Sequence, residues 1–297
     1  MEIRNLNTFL KVASLRNFTR AAFELGYSQS NVSAQIAQLE HELGAPLFNR
    51  IGKQVSLTQL GEEMLPYAQE LCSMAANIED LAKPDSELGG TLRVGMTDSI
   101  SDLLLDDAFI TYHRRMPNVQ VEVALDTSAM LLERLRGGVL DAACVIDEPL
   151  PPDRWLVLRE RSVPVVIAAN PKLDIAKKET VSLEELTHEE LILMEAEAPY
   201  GIAFERALAR RKLPCRPAFR LQSVETALRV IEREGFVSVL PYYSVKAAAE
   251  SGKVTVLNVP EWKDTQAVQM VLHRSKALTR QISAFVDELD NVLGKSL

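Results

Sequence analysis

In the first part of the chain, apolar residues recur at helical rather than strand spacing. Phe9, Val12 and Ala13 share one face of a first helix. The pattern breaks at Asn17-Phe18-Thr19, where Thr19 suits an N-cap and Phe18 with Phe23 suits a hydrophobic staple for a second helix. Gly26 ends that helix where left-handed backbone is wanted. Ser28 opens a third, in which Val32, Ile36 and Leu39 fall on one stripe and Tyr27 with Val32 repeats the staple. Helix, tight turn with glycine, helix is the spacing of a helix-turn-helix. The side opposite the stripe holds Ser30, Asn31, Ala34 and Gln38, small or amide-bearing and without an acid. A helix that enters a DNA major groove needs such a face, because Asn, Gln and Ser can bond base edges or phosphates. An ordinary solvated helix face would usually carry Glu and Lys. Beyond Gly44, two short extended pieces around Gly52-Lys53 predict a β-hairpin wing, with Arg50 and Lys53 available to phosphates or the minor groove.

Leu60, Met64, Tyr67, Leu71, Met74, Ile78 and Leu81 then follow at alternating intervals of 4 and 3. This heptad seam favours pairing with another helix, the alternative being a helix packed on its own domain. Pro66 should bend it. Lys83 to Gly90, with Pro84 and Gly89-Gly90, reads as a hinge. From Thr91 the period alternates between strand and helix, which argues a parallel sheet covered by helices. Strands are expected at 92–96, 119–125, 141–146, 163–169, 191–194, 219–221, 237–240, 254–259 and 266–272. The fold class expected is α+β and multidomain: a winged helix-turn-helix at 1–58, a dimerisation linker helix and hinge at 59–90, and a ligand-binding domain at 91–297. That last domain divides into two α/β lobes, 91–161 with 266–297 and 162–265, the chain crossing near Arg161-Ser162 and returning near Thr265-Gln266.

The chain has 297 residues, 47% hydrophobic and 25% charged, which excludes disordered and fibrous classes. No apolar run approaches the ~20 residues of a membrane span, and the start lacks a signal-peptide pattern, so a cytoplasmic protein is expected. Charge is unevenly placed: residues 1–58 carry six Lys/Arg against four Asp/Glu, whereas the whole chain is at −8. A lone net-positive end suits local contact with a polyanion. Three distant cysteines, Cys72, Cys144 and Cys215, imply no disulfide framework. Phosphate-binding glycine motifs and the GxSxG elbow are missing, and the histidines and cysteines make no zinc-spaced cluster. No enzyme, cofactor or metal is therefore expected.

Ligand chemistry is expected elsewhere. Thr97-Asp98-Ser99, Thr127-Ser128 and Ser223 each stand where a strand gives way to a helix N-terminus. Each alone is an ordinary cap. Together they mark the carboxyl ends of strands, where α/β sheets take ligands and free amides favour an anion such as a carboxylate.

Several strings together resemble the LysR-type transcriptional regulators: Phe18-Thr19-x-Ala21-Ala22, Ser28-Gln29-Ser30-Asn31-Val32-Ser33, Gln35-Ile36-x-x-Leu39-Glu40, Leu43-Gly44-x-Pro46-Leu47-Phe48-x-Arg50 and Leu57-Thr58-x-x-Gly61. Arg115-x-Pro117-x-Val119, Gly138-x-Leu140-Asp141 and Ser223-Val224-Glu225-Thr226 extend the resemblance along the whole chain. It implies a winged helix-turn-helix, a dimerising linker helix, and two lobes akin to periplasmic binding proteins. It also implies a homodimer through the linker helix, commonly assembled into a homotetramer. On double-stranded promoter DNA, the contacts implied are Thr19 and Arg50 for backbone or minor groove. Ser28, Gln29, Ser30, Asn31, Ser33 and Gln35 would lie around the recognition helix. Asn31 stands where many members have Ala. The cleft for a small-molecule effector, an organic anion or other metabolite, would be lined by Thr97, Ser99, Ile100, Thr127, Ser128, Tyr200, Gly201, Ser223 and Val224. Asp98 would repel a carboxylate if it points inward. Other readings are a redox-responsive regulator acting through Cys144 or Cys215, and a ligand-binding module whose N-terminus only mediates association.

Overall fold

Helix α1 (Ile3–Leu15) buries Leu6, Phe9 and Val12, the stripe that its apolar spacing requires. Helix α2 (Phe18–Leu25) follows, then α3 (Gln29–Leu43). The N-cap of α2 is Asn17, whose side chain accepts the Arg20 N–H at 2.9 Å, so Thr19 lies inside the helix as an exposed residue. Phe18 is buried while Phe23 stands 87% exposed, so the expected staple does not form. Both Asn17 and Thr19 are competent caps, and burial of Phe18 decides between them by fixing where the helix begins. The cap of α3 is Ser28, accepting the Asn31 N–H at 3.2 Å, and Gly26 at φ 69° supplies the left-handed turn.

The computed structural model describes residues 1–51, 54–104, 107–195 and 197–296. They form two compact units, Met1–Pro84 with Ser275–Arg280, and Asp85–Arg274 with Gln281–Leu297.

The first unit continues with β1 (Phe48–Ile51) and β2 (Gln54–Leu57), an antiparallel pair with Phe48 opposite Leu57. Helix α4 (Gln59–Asp80) then runs through Pro66 without interruption. Phe48 meets Phe9 and Phe18 with ring centroids 5.4 and 5.6 Å apart, which fastens the wing to the helices. Along α4 the seam divides. Leu60 and Met64 pack on the unit's own core, whereas Tyr67, Leu71, Met74, Ile78 and Leu81 are exposed.

The second unit begins with β3 (Gly89–Met96), α5 (Asp98–Leu104), α6 (Asp107–Arg115), β4 (Asn118–Leu125), α7 (Ser128–Arg136) and β5 (Ala142–Asp147). Next come β6 (Trp155–Ala169), α8 (Leu183–Leu186), β7 (Glu190–Met194), α9 (Pro199–Arg210), β8 (Pro217–Leu221) and α10 (Val224–Arg233). It closes with β9 (Phe236–Pro241), α11 (Tyr242–Glu250), β10 (Thr255–Leu257), β11 (Asp264–His273) and α12 (Arg280–Ser296). Among the described residues one sheet has the order β4-β3-β5-β11-β6-β9-β7-β8, with β10 beside β6.

The two ends of this sheet are parallel and the middle is antiparallel. The expected crossing near Arg161-Ser162 and return near Thr265-Gln266 are not loops. They lie inside β6 and β11, which pair from Val165 opposite Asp264 to Trp155 opposite His273. The polar run Arg159-Glu160-Arg161-Ser162 stays extended because its backbone groups are satisfied across the ladder. Its arginines pair with α12, Arg159 to Asp287 at 3.0 Å and Arg161 to Asp290 at 2.9 Å.

Candidate nucleic-acid interface and effector cleft

In α3 the residues Val32, Ile36 and Leu39 are fully buried, which leaves Gln29, Ser30, Asn31 and Ala34 exposed and Ser33 half-buried. The first turn of α3 has no acid. Neighbouring hydroxyls and amides hold one another: Ser28 Oγ and Ser30 Oγ lie 2.9 Å apart, and Gln29 Nε2 donates to Ser33 Oγ at 2.9 Å. Gln35 is not on this face. It is 6% exposed, accepts the Thr8 hydroxyl at 2.5 Å, and donates to Asn31 Oδ1 at 3.0 Å. Both functional ends of its amide are therefore engaged within the unit. The structure makes Gln35 a brace between α1 and Asn31, where the family resemblance had placed it around the recognition face.

The wing is set by Glu40, whose Oε1 accepts the Leu47 and Phe48 N–H groups at 2.8 and 3.3 Å. Arg50 lies on β1. Lys53, and the tip of the hairpin with it, falls outside the described residues.

In the second unit a cavity of about 380 Å³ opens at the carboxyl ends of β3, β4 and β7. Thr97, Ser99, Thr127, Ser128, Tyr200, Ser223 and Val224 line it together. Ile100 does not, being fully buried in the core, and neither does Gly201, which lies buried in α9. Several of the cleft hydroxyls are already committed. Ser99 Oγ and Tyr243 Oη are 2.8 Å apart, and Ser128 donates to the Ile146 carbonyl at 2.9 Å. Ser223 and Thr127 cap their helices, accepting the Thr226 and Met130 N–H groups at 3.3 Å each. Burial also raises the Tyr200 hydroxyl well above its ordinary range, so it stays protonated.

Sequence reasoning missed Asp126, Glu195, Glu197 and Gln222 in this lining. A signal was present: an acid follows within two residues of the end of each contributing strand, in Met96-Thr97-Asp98, Leu125-Asp126 and Met194-Glu195. Asp98 does point inward. Its Oδ2 accepts the Val224 N–H at 2.9 Å, joining α5 to the first turn of α10. Thr127 donates to Glu197 at 2.9 Å.

Partial burial pushes the Glu195 carboxyl above the ordinary carboxylate range, and the nearby charges of Glu197, Asp126 and Asp98 push it the same way. A raised folded value means that the ionised form destabilises the fold, a penalty absent below the unfolded value and complete once pH exceeds the folded one. Glu195→Gln should therefore melt higher than wild type at neutral pH. The difference should fade on acidification toward about pH 4, where the carboxyl is protonated in both states. Thermal melts across that window check it, and a pH-independent difference would refute it.

The cysteines show no reactive environment. Burial pushes the Cys144 thiol up to about 12, and Cys215 is raised chiefly by burial as well. Among the described residues no group of three or more His, Cys, Asp or Glu is disposed to hold a metal ion. None of their helices is long and apolar enough to cross a membrane.

Residues 3–62 match the model for bacterial regulatory helix-turn-helix proteins of the lysR family, and residues 85–294, more than half of the chain, match the LysR substrate binding domain. The chain belongs to the LysR family. Among its relatives, an uncharacterized HTH-type transcriptional regulator of Bacillus subtilis, YwqM, is 28% identical over 97% of this chain and 98% of its own length. The RuBisCO operon transcriptional regulator of Allochromatium vinosum is 25% identical over 96% and 94%. Among solved structures, full-length OxyR from Pseudomonas aeruginosa has a TM-score of 0.72 at 24% identity, covering 97% of this chain and 94% of that one. CbnR, solved with its target DNA, has a TM-score of 0.54 at 20% identity, covering 98% and 100%. The protein is thus a LysR-type DNA-binding transcriptional regulator with an effector-binding domain.

Proposed function

We propose that α3 reads promoter sequence through Gln29, Ser30, Asn31 and Ser33, while Arg50 and Lys53 of the wing and Thr19 of α2 hold the sugar-phosphate backbone or minor groove. The observation that carries this reading is the acid-free row of exposed amides and hydroxyls opposite the buried stripe of α3. Two copies pair through the exposed part of the α4 seam, Tyr67 to Leu81, because a row of large apolar side chains in water favours burial against another helix. Two such dimers assemble into the working tetramer. A small molecule in the 380 Å³ cleft shifts the conformational equilibrium of the second unit, and with it the affinity for DNA. The protein acts in the cytoplasm, where its DNA is, and catalyses no reaction.

Gel shifts with genomic duplexes that the wild type selects test the DNA-binding part. Arg50→Ala should weaken binding across all sequences and lower the salt slope by about one. Gln29→Ala should instead relax discrimination, by roughly 1–3 kcal/mol at the base it contacts. Equal affinity of Arg50→Ala and wild type at moderate salt would refute the assignment of the wing.

A further inference from the structure

Four carboxylates border the cleft of the second unit, those of Asp98, Asp126, Glu195 and Glu197, and its described lining includes no Lys, Arg or His. Asp126 is offset by Arg134 at 2.8 Å. The partners found for the other three are neutral: the Val224 N–H for Asp98, the Gln222 side chain for Glu195, and the Thr127 hydroxyl for Glu197.

Helix N-termini ordinarily make such a place attractive to anions. Here the protein's own acids engage two of the amides at these helix starts. Asp98 accepts from Val224 at the start of α10, and Asp126 accepts the Thr127 N–H at 2.9 Å at the start of α7. A carboxylate ligand would find both amides engaged and three uncompensated like charges around it. Thr97 gives a separate sign that a ligand belongs here. It lines the cleft, is 9% exposed, and its Oγ1 has no hydrogen-bond partner. A buried hydroxyl left unpaired is costly, and a bound molecule would relieve it.

We infer that the effector is an organic cation, a small amine or guanidine whose N–H groups donate to Asp98, Glu195 and Glu197. A bare divalent ion fits poorly, since no set of three ligating side chains converges among the described residues. The volume of about 380 Å³ lies near the lower end of small-molecule sites, ~300–1,000 Å³, and suits a metabolite rather than a peptide. The inference rests on the effector-cleft reading and adds the sign of the charge to it.

Thermal shift and calorimetry on the full chain, with putrescine and agmatine against succinate, test it. At least one of the two amines should raise the melting temperature, with an affinity that falls as salt rises, and succinate should not. Glu195→Gln with Glu197→Gln should weaken the amine roughly tenfold or more, as loss of charge pairs in a partly shielded site does. Thr97→Val, nearly isosteric, should weaken it less and leave the salt dependence intact. Stabilisation by succinate and not by the amines would overturn the cation while keeping the cleft as an effector site. No shift from any of the three would overturn it too, and promoter binding by the same sample would show that the regulator itself is sound. Amine affinity unchanged in both the double carboxamide variant and Thr97→Val would place the amine outside the cleft and refute the inference.

Discussion

Gly61→Ala is expected to lower the melting temperature of the N-terminal unit by roughly 10 °C, at ~4–8 °C per kcal/mol for a domain of this size. Gly61 lies in the first turn of α4, where its N–H donates to the Thr58 hydroxyl at 3.1 Å. A Cβ there would overlap the Leu47 carbonyl oxygen and approach Leu57 Cδ2 to 2.9 Å. That carbonyl cannot swing away, because it accepts the Thr58 N–H at 2.9 Å immediately before the wing begins. Helix propensity alone would favour alanine by ~1 kcal/mol. Because the overlap is with backbone that is held in place, its cost lies at the upper end of overpacking, ~3 kcal/mol or more, so the clash wins by ~2 kcal/mol. Gly26→Ala is the control: its φ of 69° strains a side chain, but nothing lies within 4 Å, so only the ~1–2 kcal/mol of left-handed backbone is lost. Calorimetry on both variants checks the order. A Gly61→Ala protein as stable as wild type would show that the wing can give way.

The second large effect is expected from Gln35→Met, which keeps the length of the side chain and removes its amide. The Thr8 hydroxyl, only 1% exposed, then loses its partner, a loss of ~1–3 kcal/mol in stability. Asn31 loses the donor that fixes its carbonyl oxygen, so its side chain is released to rotate on the face proposed to read DNA. Discrimination between the selected operator and a scrambled duplex should fall about tenfold, while the salt slope, set by phosphate contacts, stays the same. Combining Gln35→Met with Asn31→Ala separates this brace from a general loss of fold. Operator binding should show a coupling of ~0.5–3 kcal/mol between the two sites. Strict additivity would mean that Gln35 does not act through Asn31.

Much of this architecture follows from short-range periodicity, and what does not follow has identifiable causes. The stripe of α3 and its Ser28 cap are local features, as are the strand-to-helix alternation and the helical run of α4. The family resemblance lists Gln35 around the recognition helix without regard to the face on which it falls. Gln35 lies between Val32 and Ile36 on the buried side of the helix, and a polar side chain can stay there only with Thr8 and Asn31 to satisfy it. The length of β6 was hidden by Arg159-Glu160-Arg161, which reads as a loop until the acids of α12 are beside it. Between the expected strands at 237–240 and 254–259 lies α11, whose Tyr243 reaches Ser99, a contact across 144 residues of sequence that no window reveals. Ile100 follows the capping residues directly, yet one step along α5 turns its side chain into the core. The acids of the cleft are single residues after separate strands, so they become a cluster only once the sheet order brings those strands together.

The long pairing of β6 with β11 has a mechanical consequence. Ten register pairs join these strands, broken once by an irregularity between Met270 and Val271. A ribbon bonded in this way resists stretching and folding but yields to torsion. Closure of the cleft around a ligand would therefore wring the sheet about its middle strands instead of swinging on a flexible joint, with Met270-Val271 the natural place for the twist to concentrate.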